Sequence, residues 1–283
     1  MTAPVNFLSS VWTIAIYTWR EGIRKKVLIG FLILSILVLF GAQFMTAFLT
    51  VPRSAGELET SIDVQLKMVK DICVTVISIF GALIAIFISA SVVPSEIENK
   101  VVYTVLSKPI RRFQYLIGKF LGVQFIIIVN LALMAGLFFV ALWVKEGVLP
   151  TLLLWSALLT YFEFLIVSSF TFAVSCACTS AVVPTILGLF IYITGNLTEY
   201  LKDVERRSGQ TALWLDEWTG KLARWLYLTL PNLKHFSLKT QILFLEPNDP
   251  PRDVQMMALV IYALVYALAG YIIAYWVFRR REM

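Results

Sequence analysis

Six apolar runs alternate with polar segments along the chain, at residues 27–50, 72–94, 120–144, 148–179, 180–197 and 254–278; only Glu163 interrupts the fourth. About 20 apolar residues cross the hydrocarbon core of a bilayer. Lipid offers no partner to unpaired backbone groups, so each run predicts a transmembrane helix. Ahead of the first run, residues 1–26 follow helical spacing. Leu8, Val11, Trp12, Ala15, Ile16, Trp19 and Ile23 share one face, and Ser9, Ser10, Thr13, Tyr17, Arg20, Glu21 and Arg24 share the other. This pattern predicts an amphipathic interface helix lying at the headgroups, with tryptophans as anchors. The first apolar run is too long, and too far from the N-terminus, to read as a cleaved signal.

Between the second and third runs lies a charged stretch. Ser95 and Glu98 have capping-box spacing just after Pro94. Ile97, Val101, Val102, Val105 and Leu106 then line one half of a helical wheel, against Glu96, Asn99, Lys100, Tyr103, Thr104 and Ser107. Pro109 ends the pattern, because the residue before a proline disfavours helical angles. A short coupling helix lying flat under the membrane is predicted, either as a topology marker or as a dock for a cytoplasmic protein. Gly118 and Gly122 form a small-residue pair suited to a close helix contact, a dimer contact being one candidate. The loop at 198–253 is rich in Trp and Leu at helical spacing, then breaks at "PNLKHFSLK" and "EPNDPP". It is too small for a domain with its own core. The expected architecture is an all-α integral membrane protein, one permease domain over 1–283, with six transmembrane helices, the interface helix and the coupling helix.

Composition supports the membrane reading, with 59% hydrophobic residues, 15% charged residues and a mean hydropathy of +0.81. The net charge of +6 is a matter of placement. With both termini in the cytoplasm, the inner segments collect Arg20, Arg24, Lys25, Lys26, Lys100, Lys108, Arg111, Arg112, Lys119 and Arg279–Arg281, against few carboxylates. Positive-inside asymmetry explains the basic balance, and no stripe of basic and aromatic residues points to nucleic acid. Three cysteines build no disulfide framework. The Cys176/Cys178 pair has thiolates for a soft metal or small side chains for helix packing, and the lone His235 lies far off in a loop, so no metal site is assigned.

Glu163 carries the strongest chemical signal inside a span, since a charge there costs about 2.5–3.5 kcal/mol on insertion scales. It should face the bundle interior, with Asn130 at similar depth as its expected hydrogen-bond partner. Glu163 and Asn130 are therefore candidates for a translocation path, or for a structural contact between helices. No internal repeat is visible, which argues against secondary transporters built from duplicated halves. A proton-coupled secondary transporter using Glu163 remains an alternative, as does a non-transporting membrane scaffold for an assembly machine. The "GKF" and "GKL" at Gly118 and Gly220 lack the upstream glycine and the Ser/Thr of a phosphate-binding loop. Any use of ATP needs another chain.

The stretch "EIENKVVYTVLSKPIRRFQYLIGKFLG" resembles the signature of ABC type-2 exporter permeases: an acidic pair, a "TVLSKPI-R" core and a "GK-LG" approach to the third span. "LYLTLPNLKHFSLK" resembles the Pro-Asn-x-x-x-Phe segment before the last span in a branch labelled as permeases for multicopper-enzyme maturation. The resemblance implies a multi-pass protein of the cell membrane, of the bacterial inner-membrane kind, working as an exporter. It would pair with a second permease chain, as homodimer or heterodimer, and with a cytoplasmic ABC ATPase subunit. The chain itself would hold no cofactor, ATP and Mg being bound by that partner. Carried over by position, Glu96, Glu98, Lys100, Thr104, Lys108, Arg111 and Arg112 would contact or orient the ATPase.

Overall fold

The computed structural model describes residues 7–49, 55–99, 111–146, 151–198, 221, 231–237 and 256–280. Its α-helices are α1 (Phe7–Ile23), α2 (Lys26–Leu49), α3 (Ala55–Ser91), α4 (Pro94–Glu98), α5 (Arg112–Glu146), α6 (Thr151–Ala177), α7 (Val182–Asn196) and α8 (Met256–Arg280). A 3-10 turn at Lys234–Phe236 precedes α8. Helix α6 is the hub: α3, α5, α7 and α8 all pack on it, while α1 lies along α5 and α2 along α3.

What lets so many helices approach α6 is side-chain size. Its inward positions include Ser168, Ser169, Thr171 and Ser175, all buried. Each hydroxyl is satisfied by a carbonyl one turn back, on Leu165, Ile166, Val167 and Phe172 respectively. Glycines face them from other helices. A Cβ at Gly270 of α8 would lie 2.7 Å from Ser169 Oγ, and one at Gly188 of α7 would lie 2.5 Å from Thr171 Oγ1. Small residues bring backbones together where lipid supplies no hydrophobic drive for helix association. Aromatic side chains fill the wider gaps, Phe120 meeting Phe172 at 5.5 Å between ring centroids.

The six-span expectation needs correction. Among the described residues, four helical stretches are long and apolar enough to cross a membrane: Lys67–Glu98, Arg112–Val144, Leu152–Ala177 and Met256–Arg280. The apolar stretches Lys26–Gly41 and Val182–Asn196 are shorter. At 1.5 Å per residue the 15 residues of α7 reach about 22 Å, less than the ~30 Å hydrocarbon core. For α7, apolar character alone overcounted, because it ignores where a helix stops.

The interface helix and the coupling helix are corrected as well. Helix α1 does not expose one polar face and rest on one apolar face. It buries Ser10, Val11, Ile14, Ala15, Thr18 and Gly22 and leaves Leu8 and Trp12 exposed. Its close partners are Gly118 and Gly122 of α5. A Cβ at Gly122 would lie 2.6 Å from Thr18 Cβ and 2.8 Å from the Ala15 carbonyl oxygen. The glycines let Ile14, Ala15 and Thr18 sit close on α5, and Leu8 and Trp12 turn outward. The glycine pair thus serves a contact inside the chain.

After α3, Pro94 opens the five-residue α4 with Val93 at its cap and no side-chain capping bond, so the Ser95/Glu98 box does not form. Pro94 and Glu96 are buried instead of facing the cytoplasm. The continuation at 100–110 lies outside the described residues.

Candidate functional site

Among the described residues, two centres with a buried carboxylate sit inside this apolar bundle. The first lies where α1, the α3–α4 junction and α5 meet. Glu96 and Lys119, at 2% and 1% exposure, form a buried ion pair. The Tyr115 hydroxyl donates to the other oxygen of the same carboxylate. Tyr115 and Lys119 lie four residues apart on α5, on one helical face. Both therefore reach the carboxylate from one helix. Taking either charge out of water costs several kcal/mol, and only a partner with good geometry repays it.

The centre extends towards the surface. Lys25 Nζ donates to Ser91 Oγ at 2.8 Å, tying the α1–α2 turn to the end of α3. Burial pushes the Lys25 ammonium below its ordinary pKa; nearby Lys119 adds to this, and Glu21 and Glu96 oppose it. Lys119 also lies 5.3 Å from the centre of the Tyr17 ring. Partial burial, followed by Glu21 and Glu96, raises the Tyr17 hydroxyl. Trp19 Nε1, Glu21 Oε2 and Ser95 Oγ are buried here without a hydrogen-bond partner.

The second centre surrounds Glu163, 3% exposed near the middle of α6. Its partner is not Asn130 but Asn196, whose Nδ2 donates to Glu163 Oε1 at 3.1 Å and also to the Tyr192 carbonyl at 3.1 Å. Asn130 donates to the Ile126 carbonyl of its own helix, and its Oδ1 is buried without a partner. Tyr192 reaches across to Ser78 of α3 at 3.0 Å. Asn196 is the last residue of α7, so this short helix ends beside the middle of α6, level with the carboxylate.

The end of α7 is then covered by residues 231–237. Leu233 N donates to the Gly195 carbonyl at 3.1 Å, and Asn232 N donates to the Tyr262 hydroxyl of α8 at 2.9 Å. Leu233 and Phe236 are fully buried. Residues 231–237 are therefore a strap seated on the bundle, where the sequence showed only a break in the helical pattern.

Of the residues expected to meet a partner, Glu98, Arg111 and Arg112 are exposed, and Glu96 is turned inward. Lys100, Thr104 and Lys108 lie outside the described residues. Sequence reasoning missed Lys119, Tyr115, Lys25 and Asn196 as partners. Lys119 did carry a signal: a lone cation among apolar residues asks for a carboxylate. Asn196 followed Gly195 at the end of an apolar run and read as a boundary alone. Among the described residues no group of three or more His, Cys, Asp or Glu side chains is placed to hold a metal ion.

Residues 12–201 match a family model described as "ABC-2 family transporter protein". None of the curated proteins matches the chain.

Proposed function

The chain belongs to the ABC-2 transporter family as a membrane permease component, and from that premise we propose that it forms a translocation path driven by a separate ATPase subunit. The carrying observation is the family match, which covers more than half the chain. Two permease chains would pair, their termini in the cytoplasm, with an ATP-hydrolysing subunit beneath each. Export is the direction the family resemblance favours.

Glu98, Arg111 and Arg112, with Lys100, Thr104 and Lys108 between them in sequence, are the proposed ATPase contacts. Glu96 takes the orienting role. Held by Lys119 and Tyr115, it ties the segment after α3 to α5, so a push on that segment reaches the bundle directly. Such a push works only if the ATPase pair has different affinities for two bundle states. Glu163, linked through Asn196 to the end of α7, is the proposed polar element of the path, and Asn130 of α5, whose Oδ1 is buried without a partner, is its second candidate residue.

The test is purification of the tagged chain from its native membrane in mild detergent, with mass spectrometry of what accompanies it. A stoichiometric subunit carrying phosphate-binding-loop motifs is expected, and Glu98→Lys with Arg112→Glu should lower its recovery while membrane insertion is unchanged. A chain that emerges alone, or an ATPase recovered equally with the charge-reversed variant, would sink the docking assignment.

A further inference from the structure

Lys25 stands at the turn between α1 and α2. Its backbone N donates to the Gly22 carbonyl at 3.0 Å, and its own carbonyl accepts from Leu28 N and Ile29 N at 3.1 and 3.3 Å. The end of one helix and the start of the next therefore fix its main chain. Its side chain crosses to α3 and donates to Ser91 Oγ at 2.8 Å. We propose that Lys25 is a positioning residue with two stations: its ammonium rests on Ser91 in this structure and passes to the Glu21 carboxylate when the segment after α3 moves. The inference deepens the transport reading and rests on it, supplying the two-state element that an ATP-driven push requires.

The unused acceptor is the stronger of the two. Ser91 offers a neutral hydroxyl, whereas Glu21, one helical turn before Lys25, offers an opposite charge. Glu21 Oε2 is buried without a hydrogen-bond partner. After burial, which lowers the Lys25 pKa, the strongest influence on its ammonium is the charge of Glu21, ahead of Lys119 and Glu96. A glutamate four residues before a lysine is also the favourable order for a pair on one helix. Release leaves Ser91 satisfied, because its hydroxyl already donates to the Ile88 carbonyl at 3.3 Å.

The exchange is tied to the segment that would be pushed. Ser91 is the last residue of α3, and Glu96 follows in α4, locked to Lys119 and Tyr115 of α5. Between them Ser95 Oγ is buried without a partner. A shift of this segment against α1 stretches the bond from Lys25 to Ser91. It leaves the reach from Lys25 to Glu21 unchanged, since both sit on one stretch of helix and turn. Unmet polar groups on both sides of the junction mark contacts left incomplete in this state.

The test is pulsed electron resonance on the full chain in nanodiscs. Spin labels go on Ile23→Cys and Asn99→Cys, both exposed, with the three native cysteines changed to Ala. Two label separations are expected, the second being the minor one in the free chain. Ser91→Ala should raise the second population on the order of tenfold, the weight of a hydrogen bond to a charged group. Ser91→Thr, which keeps the hydroxyl, should behave as wild type, and adding Glu21→Gln to Ser91→Ala should cancel the rise. A double variant that keeps the full rise, or one separation in every variant, would overturn the proposal. If Ser91→Ala does not elute as a single species, Glu21→Gln alone carries the comparison. In the complex loaded with a non-hydrolysable ATP analogue it should lower the second population, and no change there would overturn the exchange. If the variants behave as expected in the free chain but the loaded ATPase shifts nothing, Lys25 still switches and the ATP-driven reading fails.

Discussion

Glu96 is held by a cation and a phenol that both come from α5, so removing either partner leaves a polar group where water cannot replace it. Lys119→Met should lower stability by about 3–5 kcal/mol, the usual cost of orphaning a buried charge. Adding Glu96→Gln should restore part of the loss, because the stranded charge then disappears. Thermal unfolding in detergent reads both, and additive losses in the double variant would contradict a direct pair. Glu163 separates structure from transport in a similar way. Glu163→Gln keeps an oxygen for Asn196 and should leave the melting temperature nearly unchanged, whereas Glu163→Leu strands the amide at a cost of about 1–3 kcal/mol. If Glu163→Gln abolishes transport while folding survives, the ionisable group itself matters. Normal transport by that variant would make the contact structural.

At the scale of elements, the α1–α5 contact is the most exacting. Gly118 would bring a Cβ within 2.7 Å of Ile14 and 2.9 Å of the Val11 carbonyl oxygen, and backbone cannot step aside as a flexible side chain can. Gly122→Val should therefore lift α1 from the bundle and speed trypsin cleavage at Arg20 and Arg24, whose side chains are already exposed but whose backbone the packed helix protects, while Gly136→Val, with open space around its Cβ position, should not. Equal cleavage of both variants would mean that α1 is held by something other than the glycine seam. The glycine pair was legible in the sequence as a close contact, yet its partner was not, since small-residue spacing says that something approaches and is silent on what. Helix α7 gives the complementary case. Its run read as apolar enough to span, but it ends at Asn196 beside Glu163, where Leu233 of the strap takes up the Gly195 carbonyl.

For the whole molecule, membership of the ABC-2 family and a multi-pass helical fold set the expectation of assembly. Mass photometry of the complex in nanodiscs should give the mass of two permease chains with two ATPase subunits. A single permease chain with full ATP-driven transport would remove the need for a pair. Helix α8 is the least enclosed span, with 17% of its apolar window buried against 61% for α6, so its outer side meets lipid or another chain in the assembly.

By itself, the sequence determined the helical membrane character, the family and the requirement that Glu163 find an interior partner. Those conclusions depend on the local density of apolar residues, on contiguous motifs and on the cost of a lone charge in lipid, all of which can be read along one dimension. The tertiary structure decided how many helices reach span length, which face of α1 is buried, that Glu96 turns inward to Lys119, and that Asn196 rather than Asn130 meets Glu163. Each of these depends on which helix lies opposite, and hydrophobic periodicity carries no such information when lipid and protein interior are equally apolar. The expected face of α1 failed for that reason: large apolar side chains are at home in lipid, and close packing selects small ones.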